Sequence, residues 1–153
     1  MRNFPHQYVV TASGTVDGDL DMTSGSLPVL QSAPPIEFDG PGDRWSPESL
    51  LVAAVTGCFI LTFRAVAHAS TLAWTSLECE TIGTLDRVER TTQFTRFEVR
   101  AHLTVPPGTD GDRARLLLEK AERGCLITSS LKGERHLTAE IDIARSAGEL
   151  APA

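Results

Sequence analysis

The strongest constraint on this chain is the run from Leu50 to Ala69, in which nearly every residue is apolar or small. Ser46 can cap a helix, Pro47 suits a first helical position, and Trp45 and Leu50 have the spacing of a hydrophobic staple, so the run reads as a helix. Apolar residues surround the whole cylinder. Such a helix has no face for water and must be wrapped by sheet, by another helix or by a second subunit. Its charge-free part, Ser49 to Phe63, is too short to span a bilayer and is followed at once by Arg64, so the reading is a buried helix of a soluble protein, with no membrane partner.

Around this helix the pattern changes period. Tyr8 to Leu30 is rich in Gly, Ser, Thr and Asp with short apolar pairs, which predicts a hairpin or small meander; Pro34-Pro35 and Gly40-Pro41-Gly42 then impose a loop. Leu77, Cys79 and Thr81 alternate with glutamates, and Phe97, Val99, Ala101, Leu103 and Val105 alternate with polar residues. These predict two strands, paired through the polar segment from Arg87 to Thr92. Pro106-Pro107-Gly108 ends the second strand, and Thr109 or Asp110 opens a helix with the apolar stripe Ala114, Leu117, Leu118, Ala121, Cys125. A last strand, His136 to Ala144, buries Leu137, Ala139, Ile141 and Ile143. The order predicts an α+β fold without alternating βαβ units. At 153 residues, the expectation is a single domain over 1–153, with a frayed tail at 146–153.

With 14 basic and 20 acidic residues the net charge is −6, and no basic run occurs, which argues against nucleic acid as a partner. The sequence carries no phosphate-binding or dinucleotide loop, no His-Glu-x-x-His and no Cys-x-x-Cys. Its four histidines stand on separate elements. No metal and no cofactor is expected. Cys58, Cys79 and Cys125 form an odd, widely spaced set with no secretory signal before them, which suggests a reducing cytoplasm. From composition alone, Cys58 in mid-helix and Cys125 on an apolar stripe read first as small core residues, and Cys79 as packing.

Two segments change that balance. Trp45-Ser46-Pro47-Glu48-Ser49-Leu50-Leu51-Val52-Ala53-Ala54-Val55-Thr56-Gly57-Cys58-Phe59 and Lys120-Ala121-Glu122-Arg123-Gly124-Cys125-Leu126-Ile127-Thr128-Ser129-Ser130-Leu131 resemble the two signature stretches of the osmotically inducible protein C and organic hydroperoxide resistance family. The order of elements agrees over nearly the whole chain. The resemblance implies antiparallel sheets wrapped around long central helices in an intertwined homodimer, and thiol-dependent reduction of organic hydroperoxides in oxidative-stress defence. Cys58 would then be the peroxidatic and Cys125 the resolving cysteine. A dithiol reductant, lipoyl-type or other, would reset the pair.

Helix geometry adds a constraint to that expectation. Glu48 and Cys58 are ten residues apart, so a continuous helix separates them by about 15 Å, beyond a carboxylate's reach. If both serve one site, they come from different chains. Cys58 also lies some three turns inside its helix, too far to use the N-terminal dipole, and apolar burial raises a thiol's pKa, so a cation is expected near it. In the family an arginine before the long helix has that role. Here Val10 to Phe38 contains no arginine, and Glu37 stands roughly where one branch carries it. Arg44 is the nearest substitute, with a solvated loop charge as the equally ordinary reading. Arg64, six residues beyond Cys58, faces it poorly. The missing arginine also leaves an alternative: a non-catalytic dimer that binds a small apolar ligand in the interface pocket.

Overall fold

The computed structural model describes residues 3–145; the tail expected at 146–153 lies outside the described residues. The chain divides into two compact units between Leu51 and Val52, and each is described by itself.

The first unit is an antiparallel meander of β1 (Thr11–Ser13), β2 (Leu20–Thr23) and β3 (Leu30–Ser32), in that order. After β3 the Ala33 N–H donates to Trp45 O at 3.1 Å. The intervening loop contains a 3-10 turn, Ile36–Phe38, and closes tightly at Gly40, where a Cβ would stand 1.6 Å from Pro34 O. Only glycine fits there. Ser46 and Ser49 cap the following helix reciprocally: Ser46 Oγ accepts from Ser49 N–H at 3.1 Å and Ser49 Oγ accepts from Ser46 N–H at 2.8 Å. Serine at the third helical position thus does what Glu or Gln does in the usual capping box. Among the described residues of this unit, Ala33 is the one buried apolar side chain; Val9, Val10, Val16, Leu27, Val29, Ile36 and Phe38 are all exposed.

The long helix α1 runs Pro47–Ala69 and buries Val55, Phe59, Phe63 and Ala67, one residue per turn along a single line. In the second unit this line meets a sheet of β4 (Ser76–Val88), β5 (Thr91–Val105) and β6 (Glu134–Ile143), with β5 central. Thr56 Oγ1 donates to Thr81 Oγ1 at 2.8 Å, and Gly83 leaves room for the helix, since a Cβ there would fall 2.6 Å from Val52 Cγ2. Phe63 packs edge-on to Trp74 at 5.4 Å between centroids. Helix α2 (Gly111–Gly124) starts where Asp110 accepts from the N–H groups of Asp112 and Arg113, and buries Ala114, Leu118 and Ala121. A short helix, α3 (Leu126–Ser129), follows after Cys125.

Three features differ from the sequence expectation. The β4–β5 hairpin is longer, because the strands continue to a two-residue turn at Glu89 and Arg90, both with positive φ (47° and 71°). Asn and Gly normally signal such a turn, and neither is present. Next, β6 pairs parallel to β5, so β5, α2 and β6 form one βαβ crossover in a mixed sheet; alternation of side chains carries no information about strand direction. Finally, Ile143, expected in the core, is 53% exposed at the end of the edge strand.

The charge-free run in α1 is short, but the helix as formed is 23 residues, long and apolar enough to cross a membrane by length and composition. Only 22% of its most apolar stretch is buried within the single chain. Its phenylalanine line is nonetheless core: Phe59 and Phe63 are among the largest fully buried side chains. Replacing Phe59 by Ala is expected to destabilise the fold by about 3–5 kcal/mol, and Asp110→Ala by about 1 kcal/mol, as read from denaturant unfolding at fixed protein concentration. Equal small losses for both would show that the α1 line is not where stability resides.

Candidate functional site

Cys58 lies half-buried on α1 between Val55 and Phe59 of the core line. One turn on, Thr62 Oγ1 is 3.9 Å from its sulfur. Gly124 brings the end of α2 to this point, as a Cβ on it would stand 3.4 Å from Thr62 Cγ2. The sequence pattern places Cys125 on the stripe of α2. Instead it sits at a kink: α2 stops at Gly124, Cys125 is extended (φ −66°, ψ 114°), and its N–H donates to Glu122 O at 3.2 Å. Cys125 is also the residue preceding α3, whose first N–H groups have no side-chain cap. Its carbonyl accepts from Ser129 N–H at 3.1 Å and from Thr128 Oγ1 at 3.3 Å, and its side chain is buried.

This kink places the Cys125 thiol and the peptide N–H groups of Leu126 and Ile127 beside the Cys58 sulfur. Of these neighbours Thr62 has hydrogen-bond geometry, and the others act as oriented dipoles. Burial is the largest single influence on Cys58 and pushes its thiol up; the Ile127 N–H, the Cys125 thiol, the Thr62 hydroxyl and the Leu126 N–H together outweigh it and hold Cys58 below the ordinary thiol value. Cys125 is shifted the other way, upward, chiefly by burial and further by its neighbour Cys58, with Thr128 opposing. Cys79 is half-buried in β4, and that burial, with no compensating group, pushes its thiol up to about 11. All three are free thiols. No charged group is among the neighbours that lower Cys58; they are two peptide N–H groups, a hydroxyl and a second thiol.

The other two candidate residues belong to the first unit. Arg44 is bound by carboxylates of its own loop, with Nε 2.7 Å from Asp19 Oδ2 and Nη1 3.1 Å from Asp43 Oδ2. The hydrogen bond to Asp19, then the Asp43 charge, raise its pKa further. The structure therefore gives Arg44 two acidic partners that sequence reasoning did not assign to it. Glu48 stands in the first turn of α1, and its Oε2 is buried with no hydrogen-bond partner. A buried, unpaired carboxylate oxygen is costly, so this residue lacks a donor that the single chain does not provide. Arg64 is on an exposed side of α1. Among the described residues no group of three or more His, Cys, Asp or Glu is arranged to hold a metal.

Residues 40–140 match a family model described as OsmC-like protein. Over 133 residues the chain is 26% identical to the uncharacterized protein YmaD of Bacillus subtilis, a match covering 85% of this chain and 84% of that one. It is 27% identical over 89 residues to Peroxiredoxin OsmC of Escherichia coli, covering 58% of this chain and 62% of that protein. Among solved structures, an OsmC-like protein of unknown function from Vibrio cholerae superimposes with a TM-score of 0.81 at 14% identity, covering 89% of this chain and 100% of the other. At that identity the likeness is one of fold.

The three thiols are expected to separate by reactivity. Alkylation follows the thiolate, so the Cys58 rate should rise with pH through a midpoint below the ordinary thiol value, while Cys79 stays unreactive until the pH approaches about 11. Iodoacetamide labelling with peptide mapping across pH checks this. Equal midpoints for Cys58 and Cys79 would show that the α3 dipoles do not act on Cys58.

Proposed function

We propose that this chain, which belongs to the OsmC-like protein family, is a two-cysteine peroxidase that reduces organic hydroperoxides in defence against oxidative stress. The observation that carries the reading is the juxtaposition of two free thiols of opposite character, Cys58 lowered and Cys125 raised, at one kink. The peroxide-related name of the Escherichia coli relative supports the same chemistry.

On this reading the Cys58 thiolate attacks the terminal oxygen of the hydroperoxide. The O–O bond breaks, the alkoxide takes up a proton to leave as an alcohol, and Cys58 is oxidised to a sulfenic acid. Cys125 then attacks the Cys58 sulfur: an S–S bond forms, the S–O bond breaks, and the hydroxide leaves with the Cys125 proton as water. A dithiol, lipoyl-type or other, reduces the disulfide by exchange. Cys125 is suited to the second step, since a thiol kept protonated beside Cys58 stabilises the thiolate first and is consumed only afterwards. Leu61, 61% exposed one turn from Cys58, and Leu126, 76% exposed beside it, would offer an apolar approach to a bulky substrate.

The functional unit is proposed to be a homodimer in the cytoplasm. Ala54, Gly57, Leu61 and Ala65 form an exposed apolar line on α1 at spacings of three and four, and the first unit exposes nearly all its large apolar side chains. A second copy would cover both. It would also bring Glu48 of the partner towards Cys58, with a donor for the orphaned Oε2. The absence of an arginine between Val10 and Phe38 favours a second reading, a dimer that only binds a small apolar ligand; the lowered Cys58 thiol weighs against it.

Treating the reduced protein with one equivalent of cumene hydroperoxide is expected to remove two of its three thiols, leaving Cys79 and a Cys58–Cys125 peptide by mass. Cys58→Ser should consume no peroxide, and Cys125→Ser should stop at sulfenic or sulfinic Cys58. Retention of all three thiols by the unaltered protein would overturn the peroxidase reading in favour of the ligand-binding one. Sedimentation equilibrium should return twice the 16.5 kDa chain mass.

A further inference from the structure

The kink that holds Cys125 is fixed at one point from outside its own helices. Glu122, whose carbonyl accepts the Cys125 N–H, extends a largely buried carboxylate towards β6, where Arg135 Nε stands 3.7 Å from Oε1. The two side chains are 20% and 39% exposed. Glu122, Cys125, Thr128, Arg135 and His136 line one small cavity together with the core residue Phe59. Its free space is about 10 Å³, roughly a single water. The ion pair therefore closes a ring: Cys125 N–H to Glu122 O, Glu122 carboxylate to Arg135, and β6 back through the sheet to the core under α1.

We infer that the Glu122–Arg135 pair is a positioning device for the second thiol, holding the α2–α3 kink so that Cys125 closes on Cys58 faster than Cys58 is over-oxidised. The inference rests on the two-cysteine reading above. A disulfide tolerates a narrow geometry, with Cβ atoms about 3.8 Å apart and a fixed dihedral. Cys125 has no regular helix around it to impose that geometry, because α2 ends just before it and α3 is a single turn. Its approach is set by the Glu122 carbonyl, and the orientation of Glu122 is set by Arg135. The other charged or titratable groups facing this segment are His136, itself 3.5 Å from Glu134, and Cys58. The pair takes no part in the attack on peroxide and touches no reacting atom.

The step in question consumes no further reagent. Cys125–SH and Cys58–SOH give the disulfide and water, in competition with a second hydroperoxide molecule that would oxidise Cys58–SOH to the sulfinic acid and leave as alcohol.

The test uses the full chain and three variants, Glu122→Gln, Arg135→Gln and Arg135→Lys, with Arg100→Gln as a control on the outer sheet face, where Arg100 pairs with Glu98 and Glu80. Stopped-flow measurement separates loss of the Cys58 thiolate from disulfide closure, and mass spectrometry counts sulfinic Cys58 against hydroperoxide dose. The first step should stay within about twofold of the unaltered protein. Closure should slow roughly fivefold in Glu122→Gln and Arg135→Gln, the most that a partly exposed ion pair can contribute, and sulfination should appear at proportionately lower dose. Arg135→Lys should recover most of the closure rate. Unchanged closure in both Gln variants, or a fall of both steps together with no recovery in Arg135→Lys, would overturn the positioning role. If the unaltered protein forms no disulfide at all, the two-cysteine reading itself has failed, an outcome read before any variant is compared.

Discussion

Everything in the second unit depends on one line of side chains, Val55, Phe59, Phe63 and Ala67, laid from α1 into the sheet. Burying two phenylalanines and a valine completely is a large hydrophobic gain for a small unit, and it fixes the rotation of α1 about its axis. Once that rotation is fixed, Cys58, one residue off the buried line, comes to rest half-buried at the border of the core. There α2 and its kink can reach it. A quarter-turn of the helix either way would place the thiol in water or bury it beyond access. The thiol's surroundings are thus a by-product of how the helix packs.

The same packing leaves α1 unsatisfied. A helix apolar on every side cannot be covered by one three-stranded sheet, and the sides carrying Ala54, Gly57, Leu61 and Ala65 remain open. The first unit shows the matching deficiency, with a single buried apolar side chain among its described residues. Two parts that each leave apolar surface uncovered give a physical reason for the proposed homodimer that does not rely on resemblance.

How much of this was legible beforehand follows from what each signal encodes. The start of α1 was written in Ser46 and Pro47, the inward faces of β4 and β5 in their alternation, and the start of α2 in Thr109 or Asp110, of which Asp110 is the cap, because caps and periodicity are local. The signature segments carried the family. What was not legible was non-local or too short to have a period: the parallel return of β6, the Glu89-Arg90 turn without Asn or Gly, and above all the kink at Cys125. An apolar stripe continuing through Ala121 to Cys125 looks like one helix, and nothing in Cys125-Leu126-Ile127-Thr128 announces that the chain extends for one residue and starts a new turn. The orphaned oxygen of Glu48 was equally invisible, since unpaired burial is a property of the fold.

On the proposed reading, that kink answers the difficulty raised by the missing arginine. A guanidinium stabilises a thiolate through a full charge, but it must itself be desolvated and held, commonly by a carboxylate that cancels part of its field. Here Arg44 already answers to Asp19 and Asp43, which spends much of its charge locally. Peptide N–H groups need no counter-ion and stay aimed because α3 is folded. Their combined effect with Cys125 and Thr62 exceeds the burial penalty on Cys58. The arrangement has a built-in consequence: part of the stabilisation comes from the Cys125 thiol, which on the proposed reading disappears when the disulfide forms. Activation and resolution would then draw on the same sulfur, so the placement of Cys125 governs both steps.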